Sequence, residues 1–307
     1  MSAMDPEKIK ASMASSQTRY RKKRGFPPVD LVSVDDFEAG EPGVPDIKAE
    51  FGYFPTSILV LTRNPDLSSF LNDNDRPARQ MGKARPGFSN FSHKASIFPP
   101  AAAWFCLKYW SAPGDVFLDP FGNRANIGLI ANYLGRLVVL NDIVPRYCDL
   151  MRRAGRRRPR KDLRWRVLNR DAADLATIKD NSIDFVLTGP PYYNLEKYED
   201  VPGQASSMRS YANFLVWYQR VAQEIFRVIR AGKFCAFKVA NWRKGGRLVL
   251  FVSHTLAAFQ EVGWVLHDEL ICAEPAPLGL GFNWHIKLKQ KYVHKAHQTI
   301  LVFRKPG

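Results

Sequence analysis

The stretch GDVFLDPFGNRANIGLIANYLGRLVVLND, Gly114 to Asp142, contains two kinds of apolar segment. VFL and LVVL are short apolar runs of the kind that form buried strands. Asp119 follows the first run directly, and Asp142 follows the second after Asn141. Between them, NIGLIANYLG has the length and spacing of a helix that Gly135 ends. The stretch therefore predicts a strand, a helix and a second strand, the repeating unit of a parallel α/β sheet.

The same alternation continues towards the end of the chain. Further strands are predicted in WRVLNRD, SIDFVLTGPP, FCAFKVAN, WVLHDELICAE and HQTILVFRK. Further helices are predicted in PPAAAWFCLKYW, VPRYCDLMRRA, SYANFLVWYQRVAQEIFRVIR and LVLFVSHTLAAFQEVG. Seven strands alternating with helices predict an open, mostly parallel α/β sheet flanked by helices, which becomes mixed if the last strand is inserted as a hairpin partner.

Polar residues end four successive strands of this predicted sheet. Three of the strands end in Asp119, Asp142 and Asp171, and the fourth ends in Thr188-Gly189-Pro190-Pro191. In open α/β sheets ligands bind beyond the carboxyl ends of the strands, so these four ends should line one cleft.

The charge of the 307-residue chain indicates a polyanionic partner. The net charge is +16 and the pI is near 9.8. Arg19 to Arg24 form one basic cluster, and the nineteen residues from Arg152 to Arg170 contain ten Arg and Lys. These clusters are either a surface that binds nucleic-acid phosphates, with salt-sensitive affinity, or a solvated helix and loop.

Other features of the composition favour an intracellular protein. No apolar run approaches the about 20 residues needed to span a bilayer, and the N-terminus lacks the apolar core of a secretory signal. The four cysteines are widely spaced and show no metal-binding pattern, so we expect reduced thiols and no metal.

The order PGDVFLDPF, LVVLNDIVP, NRDAADL and TGPPYY resembles the motifs of S-adenosylmethionine-dependent DNA amino-methyltransferases. That family methylates N4 of cytosine or N6 of adenine, and the resemblance covers roughly residues 93 to 305. It implies a Rossmann-like methyltransferase fold, S-adenosyl-L-methionine as cofactor, and double-stranded DNA with a flipped base as partner. It also suggests a cytoplasmic enzyme of bacterial or phage origin, either a monomer or a homodimer.

Composition and the resemblance together divide the chain. Residues 1–50 are polar, contain proline and show no periodic pattern, so they are expected to form a flexible basic arm or a loosely attached subdomain. Residues 51–92 are expected to form an extension that is a candidate for substrate recognition. Residues 93–307 are expected to form the catalytic domain.

The resemblance assigns the cofactor to the strand ends and to the segment before the first strand. The turn after Asp119 would approach the methionine part of the cofactor, Asp142 would bind the ribose hydroxyls, and Asp171 would contact the adenine amine. The expected cofactor residues are Phe98, Pro99, Asp119, Pro120, Phe121, Gly122, Asn123, Asn126, Asp142, Ile143, Asp171 and Ala172.

The first motif departs from the family pattern at two positions. Asn123 and Ala125 stand where the family has glycines, which permit positive φ and a close approach of the backbone to a ligand. Asn tolerates left-handed backbone better than most residues, and Ala adds a single methyl. The departure leaves open a working loop, weaker cofactor binding, an altered cofactor or a lost activity.

The corner TGPPY carries the expected chemistry. Thr188 Oγ and the carbonyl of Gly189 or Pro190 would accept hydrogen bonds from the target amine, while Pro190 and Pro191 hold the backbone rigid. Tyr192 would stack on the flipped base. In the family that the chain resembles, adenine enzymes more often carry Asp or Asn at the first position of this motif, so the resemblance implies that Thr188 favours N4 of cytosine over N6 of adenine. The alternative reading of the corner is a rigid turn that covers the sheet edge.

Basic residues in four segments are candidates for nucleic-acid binding. They are Arg156, Arg157, Arg158, Arg160, Lys197, Arg243, Lys244, Lys287 and Lys289. Two other functions stay open at this point: an RNA base methyltransferase, and a catalytically impaired nucleic-acid-binding module.

Overall fold

Strands and helices alternate along the described part of the chain, which in this computed structural model comprises residues 58–60, 98–193, 203–273, 291 and 297–307. These residues belong to a compact unit that spans Thr56–Gly307. The strands described are β1 (Ile58–Val60), β2 (Val116–Asp119), β3 (Leu137–Asn141), β4 (Trp165–Leu168), β5 (Ile183–Thr188), β6 (Ile229–Val239), β7 (Trp242–Lys244), β8 (Arg247–Val249), β9 (Val265–Ala273) and β10 (His297–Arg304). The helices are α1 (Pro100–Trp110), α2 (Asn126–Tyr133), α3 (Pro145–Arg157), α4 (Tyr211–Val228) and α5 (Phe251–Val262).

Eight of these strands form one sheet in the order β1-β9-β10-β6-β5-β2-β3-β4. Strand β10 is antiparallel to both of its neighbours, β6 and β9, and the other ladders are parallel. The expected fold class, a Rossmann-like methyltransferase fold with a mostly parallel sheet, is confirmed, and the last strand is inserted as a hairpin partner. The short β1 adds an eighth strand beside the seven expected ones.

The helices cover both faces of the sheet. Phe237 of β6 packs against Tyr218 of α4 and Phe259 of α5. The next residue, Lys238, lies against Phe98, just before α1. Because successive side chains of a strand point to opposite faces, α1 lies on one face of the sheet and α4 and α5 lie on the other.

Aromatic side chains fill the layer between α4, α5 and the sheet. The ring centroids of Phe259 and Phe303 are 4.4 Å apart, and those of Tyr218 and Phe251 are 5.2 Å apart. Each large aromatic side chain removes roughly 150–250 Å² from water, so this layer is a main source of hydrophobic stabilisation.

One close contact fixes α3 on the edge strand β4. A Cβ added to Gly155 would lie 2.5 Å from Cδ1 of Trp165, and the Trp165 indole Nε1 donates to the Met151 carbonyl at 3.1 Å. Glycine therefore lets the helix approach the ring closely.

Two predicted boundaries were wrong. Helix α4 ends at Val228 and β6 begins at Ile229, five residues before the predicted strand. Leu248 and Val249 belong to β8 and not to α5, because Gly245 and Gly246, with φ of 55° and 78°, fold the chain back into the β7–β8 hairpin.

None of the described helices is both long and apolar enough to cross a membrane. All four cysteines are buried and free. The predicted domain boundaries near residues 50 and 92 lie outside the described residues.

Candidate active site

A cleft opens at the carboxyl ends of β2, β3, β4 and β5, with a volume of about 1140 Å³ including the part open to solvent. All four predicted strand ends contribute to it, as expected for an α/β sheet. Fifteen of the predicted site residues line the cleft: Phe98, Asp119, Pro120, Phe121, Gly122, Asn123, Asn126, Asp142, Ile143, Asp171, Ala172, Gly189, Pro190, Pro191 and Tyr192. Pro99 and Thr188 do not line it.

Asp119 is a buried acid at the end of β2. Its Oδ1 accepts hydrogen bonds from the Thr188 hydroxyl at 2.6 Å and from the Phe121 backbone N–H at 3.1 Å. Burial raises the pKa of Asp119 to about 7, although both hydrogen bonds lower it, and the nearby Asp142 raises it further. Near neutral pH the neutral and the ionised forms of this side chain are therefore both populated.

Asp142 organises the turn after β3. Its Oδ2 accepts from the Asn123 N–H at 3.1 Å, and its Oδ1 accepts from the Val144 N–H at 2.9 Å. Burial raises the pKa of Asp142 to about 6, against the lowering effect of these backbone hydrogen bonds. The carboxylate thus joins the loop after β2 to the start of α3 while facing the cleft.

Asp171 is held by a residue that sequence reasoning missed. Its Oδ1 accepts from the Trp217 indole N–H at 2.8 Å and from the Ala173 N–H at 2.9 Å. The Trp217 ring also lies 6.0 Å from the Phe121 ring, and both rings line the cleft. Trp217 belongs to α4, so only the folded chain brings it to the end of β4.

The loop after β2 has the left-handed backbone that glycines usually supply. Asn123 has φ of 43° and Ala125 has φ of 65°. Gly122 is required for a different reason, because a Cβ there would lie 2.5 Å from the Met151 sulfur. The Asn123 Oδ1 atom is buried and has no hydrogen-bond partner among the described residues. The loop keeps its shape without the two glycines, and Ala125 bears a conformational cost of about 1–2 kcal/mol.

The corner after β5 forms the wall opposite this loop. Gly189, Pro190, Pro191 and Tyr192 line the cleft as expected. The expected acceptor role of Thr188 does not fit its placement, because this side chain is fully buried and its hydroxyl donates to Asp119. The residue that faces the cleft at this point is Gly189, which offers its backbone and no side chain.

Aromatic contacts fix the orientation of the two tyrosines of the corner. The Tyr192 ring meets Trp242 edge-on at 5.3 Å and Phe251 at 5.5 Å. The Tyr193 ring lies 5.6 Å from Tyr211. Trp242 and Phe251 therefore hold the Tyr192 ring in a fixed orientation, which suits a ring that stacks on a flat ligand.

The corner and everything that follows it correspond to a known family. Residues 183–307 match the DNA methylase family. This match, to the family of N6 and N4 DNA methyltransferases, includes the corner, β6, the β7–β8 hairpin and β10. It confirms the resemblance for this part of the chain and S-adenosylmethionine as the cofactor. The three acidic strand ends lie before the matched residues, so their place in the site follows from the geometry.

Solved structures with a similar chain trace include several methyltransferases. TrmN from Thermus thermophilus is 17% identical over 69% of this chain and 51% of its own, with a TM-score of 0.47. A methyltransferase from Pyrococcus furiosus is 14% identical over 78% of this chain and 100% of its own, with a TM-score of 0.47.

A third protein, also from Thermus thermophilus, is named as a DNA modification methylase and was solved with S-adenosyl-L-methionine. It is 24% identical over 45% of this chain and 54% of its own, with a TM-score of 0.33. This chain thus spans about half the length of TrmN and of this third protein. No curated protein sequence matches the chain.

The residues expected to bind nucleic acid fall into two described groups. Arg156 and Arg157 are exposed at the end of α3. Arg158 donates to the carbonyls of Gly155, Lys161 and Leu163, and Arg160 is paired with Asp162, so these two side chains hold the loop between α3 and β4. This end of α3 leads into the start of β4, away from the cleft.

The second group lies beside the corner after β5. Arg243 and Lys244 are exposed on the β7–β8 hairpin, and the Lys244 Nζ lies 5.1 Å from the centre of the Tyr193 ring. Lys197, Lys287 and Lys289 lie outside the described residues.

The cleft is also lined by nine residues that sequence analysis did not single out. They are Arg124, Ile127, Val144, Tyr147, Gly203, Gln204, Ala205, Trp217 and Lys238. Several directly follow predicted positions in the chain, a signal that could have identified Arg124 and Val144. Trp217 and Lys238 come from distant elements and carried no such signal.

Proposed function

We propose that this protein transfers a methyl group from S-adenosylmethionine to the exocyclic amine of a flipped base in DNA, with N4 of cytosine favoured and N6 of adenine as the other target. The observation that carries the proposal is the single cleft lined both by three acidic strand ends and by the Gly189–Tyr192 corner. The DNA methylase match over residues 183–307 supports the same reaction.

The residues of the cleft fit the cofactor. Carboxylates at Asp142 and Asp171 suit a ribose diol and an adenine amine, because a carboxylate accepts several hydrogen bonds. Phe121 and Trp217 supply apolar surface, and the unpartnered Asn123 Oδ1 supplies a further acceptor. When bound, the cofactor supplies an electrophilic methyl group on a cationic sulfur, so the chain needs no covalent nucleophile of its own.

The corner would orient the target amine. The lone pair of the amine nitrogen is delocalised into the base. Hydrogen-bond acceptors aimed at its N–H groups favour the tetrahedral geometry that this nitrogen needs to attack the methyl group. In this chain the backbone carbonyls of Gly189 and Pro190 are the proposed acceptors, since Pro190 and Pro191 fix the backbone and remove competing N–H donors. Thr188 then acts as a positioning residue through Asp119.

Tyr192 is the proposed stacking platform for the base. Tyr192→Ala should abolish transfer, while Tyr192→Phe keeps the ring and should retain most of it. Cofactor affinity measured by calorimetry should be similar in both variants. Undiminished transfer in the alanine variant would remove this role from Tyr192.

The β7–β8 hairpin is the proposed contact with the nucleic-acid backbone. Arg243, Lys244 and Arg247 are exposed on it, and no acidic residue occurs between Lys238 and Gln260. Trp242 anchors the hairpin against Tyr192, so phosphates held by its tip would lie close to the base-binding corner. Lys197, Lys287, Lys289 and the arginines of α3 are proposed as additional contacts.

The contribution of the hairpin to DNA binding can be compared with that of the arginines of α3. The double variant Arg243→Ala/Lys244→Ala should weaken DNA binding and reduce the slope of log affinity against log salt by about 2. Arg156→Ala/Arg157→Ala removes the same charge at the far end of α3. A larger effect of this second variant would assign the main contact to α3.

The reaction itself is tested with tritiated S-adenosylmethionine and unmodified duplex DNA, followed by digestion to nucleosides and mass analysis. N4-methylcytosine or N6-methyladenine is the expected product. Methyl transfer to RNA and not to DNA would show that RNA is the substrate. Cofactor binding without transfer to either nucleic acid would refute the proposal. No transfer together with no cofactor binding would also refute it, and would favour the alternative of a nucleic-acid-binding module.

A further inference from the structure

Lys238 is a buried lysine in the cleft wall that the proposed reaction does not yet use. It lies near the end of β6, next to Phe237, which pairs with Thr188 of β5. Lys238 is only 4% exposed, yet it lines the cleft. Burial of an ammonium group is costly unless its surroundings compensate the charge, so such a residue needs a physical reason.

The surroundings of Lys238 hold its ammonium group in place. Its Nζ donates to the Gln298 side-chain oxygen on β10, and it lies 5.3 Å from the centre of the Phe98 ring. The ring face attracts a cation, and the amide oxygen accepts one of its three N–H bonds. Phe98 also lines the cleft, so the lysine and the ring belong to the same wall.

This part of the wall adjoins the corner that would hold the amine. A Cβ added to Gly189 would lie 3.7 Å from Cδ2 of Phe98 and 3.9 Å from the Lys238 carbonyl oxygen. Phe98 thus lies next to both the Gly189 position and the Lys238 ammonium group, so the backbone acceptors of the corner share this part of the wall with a side chain that can only donate. The wall offers acceptors and a cationic donor next to each other.

That pattern complements one kind of base edge. In cytosine the N4 amine is next to the ring acceptor N3, and in adenine the N6 amine is next to the acceptor N1. In guanine the N2 amine lies between N1, which carries a hydrogen on the Watson–Crick edge and would oppose an ammonium donor, and N3, which is an acceptor on the sugar edge. An acceptor beside the amine on the Watson–Crick edge is therefore the feature that distinguishes the two amino-methyltransferase targets from guanine.

We propose that Lys238 is a base-selecting residue, whose ammonium group donates to the ring nitrogen next to the target amine of cytosine or adenine. This inference rests on the proposed function. It predicts rejection of bases that carry N–H at that position, and it makes β6 and β10 part of the substrate site.

The test compares each base with an analogue in which C–H replaces that ring nitrogen, 3-deazacytosine or 1-deazaadenine, placed at the methylated position of an oligonucleotide. Wild-type protein should lose roughly ten- to a hundredfold in kcat/KM on the analogue, the range expected for a hydrogen bond to a charged group. On the normal base, Lys238→Met should have a kcat/KM lower than that of wild-type protein by a similar factor. Replacing the base by the analogue should lower the kcat/KM of this variant little further.

Three outcomes would overturn the inference. The first is an equal kcat/KM of wild-type protein on the normal base and on the analogue, and this result does not depend on whether the variant folds. Equal analogue penalties in wild-type protein and in Lys238→Met would show that the lysine does not contact the ring nitrogen. A Lys238→Met variant that keeps the penalty but loses cofactor affinity by calorimetry would assign Lys238 to the cofactor carboxylate.

Lys179→Met is the matched control, since Lys179 is exposed on a turn outside the cleft, and it should behave as wild type. Wild-type protein that methylates no nucleic acid at all fails at the level of the proposed function. That result is distinct from active protein that ignores the ring nitrogen.

Discussion

The Thr188 hydroxyl donates to Asp119 Oδ1 at 2.6 Å, and this bond ties the end of β5 to the end of β2. Both residues are buried, so the hydrogen bond is shielded from water. It lowers the pKa of an acid that burial raises to about 7. The corner expected to hold the substrate is thereby joined to the loop expected to hold the cofactor.

Removing this hydroxyl should loosen that connection. Thr188→Val keeps the shape but leaves Asp119 without its side-chain donor, so we expect a loss of about 1–3 kcal/mol in the free energy of unfolding at pH 8. Thr188→Ser retains the donor and should retain methyl transfer. Chemical denaturation and kcat measure the two effects. A lower kcat in the valine variant with unchanged stability would show instead that Thr188 contacts the target amine.

Asp119 should make the protein less stable as the pH rises. Its pKa is 3.8 in the unfolded chain and about 7 in the folded one, so the folded state favours the neutral acid. The associated stability is complete below pH 4 and is lost as the pH rises towards 7 and above, by about 4 kcal/mol in total.

Asp119→Asn removes this titration while keeping a side-chain oxygen for Thr188 and Phe121. The difference in unfolding free energy between variant and wild type should therefore move in favour of the variant between pH 4 and pH 8. Urea denaturation across this range gives the difference directly. A difference that does not vary with pH would show that Asp119 titrates normally.

Cofactor binding should depend on the ionisation of Asp142, whose pKa is raised to about 6. An ionised carboxylate is the better acceptor for ribose hydroxyls, so affinity should fall up to tenfold for each pH unit below 6. Asp142→Asn should bind more weakly at pH 7 and lose this dependence, as measured by calorimetry. Asp149→Asn, at an exposed acid of α3, should leave it intact.

Ala125 should be replaceable by glycine with a gain. Its φ of 65° strains an L-residue, and glycine has no such cost. Because glycine also increases the entropy of the unfolded chain, we expect a net gain of about 0.5–1 kcal/mol in unfolding free energy. Gly122→Ala is the opposite case, since its methyl would collide with Met151, and it should destabilise. A less stable Ala125→Gly variant would show that the methyl contacts outweigh the strain.

The parts of the fold and site that follow from local pattern could be predicted from the sequence. The ends of parallel strands meet at one edge of a sheet, so Asp119, Asp142 and Asp171 were expected together and do line one cleft. The positive φ of Asn123 and Ala125 was likewise implied by the glycine places of the motif.

The remaining features depend on contacts between distant segments. Which way Thr188 points is set by the pairing of β5 with β2, which places its hydroxyl beside Asp119. Lys238 looks like an ordinary strand lysine until β10 places Gln298 beside it. The hairpin was hidden because its strands have three residues each, too few to show alternation.

The position of β10 inside the sheet has a consequence for how the molecule is assembled. The acidic ends of β2, β3 and β4 come from one continuous stretch of chain, so they can meet after short loops close. The wall that contains Lys238 needs β10, which must return across β7, β8, α5 and β9 to pair with β6. Closing such distant contacts is slow. We therefore expect the folding chain to acquire its cofactor half first and its base-binding half last.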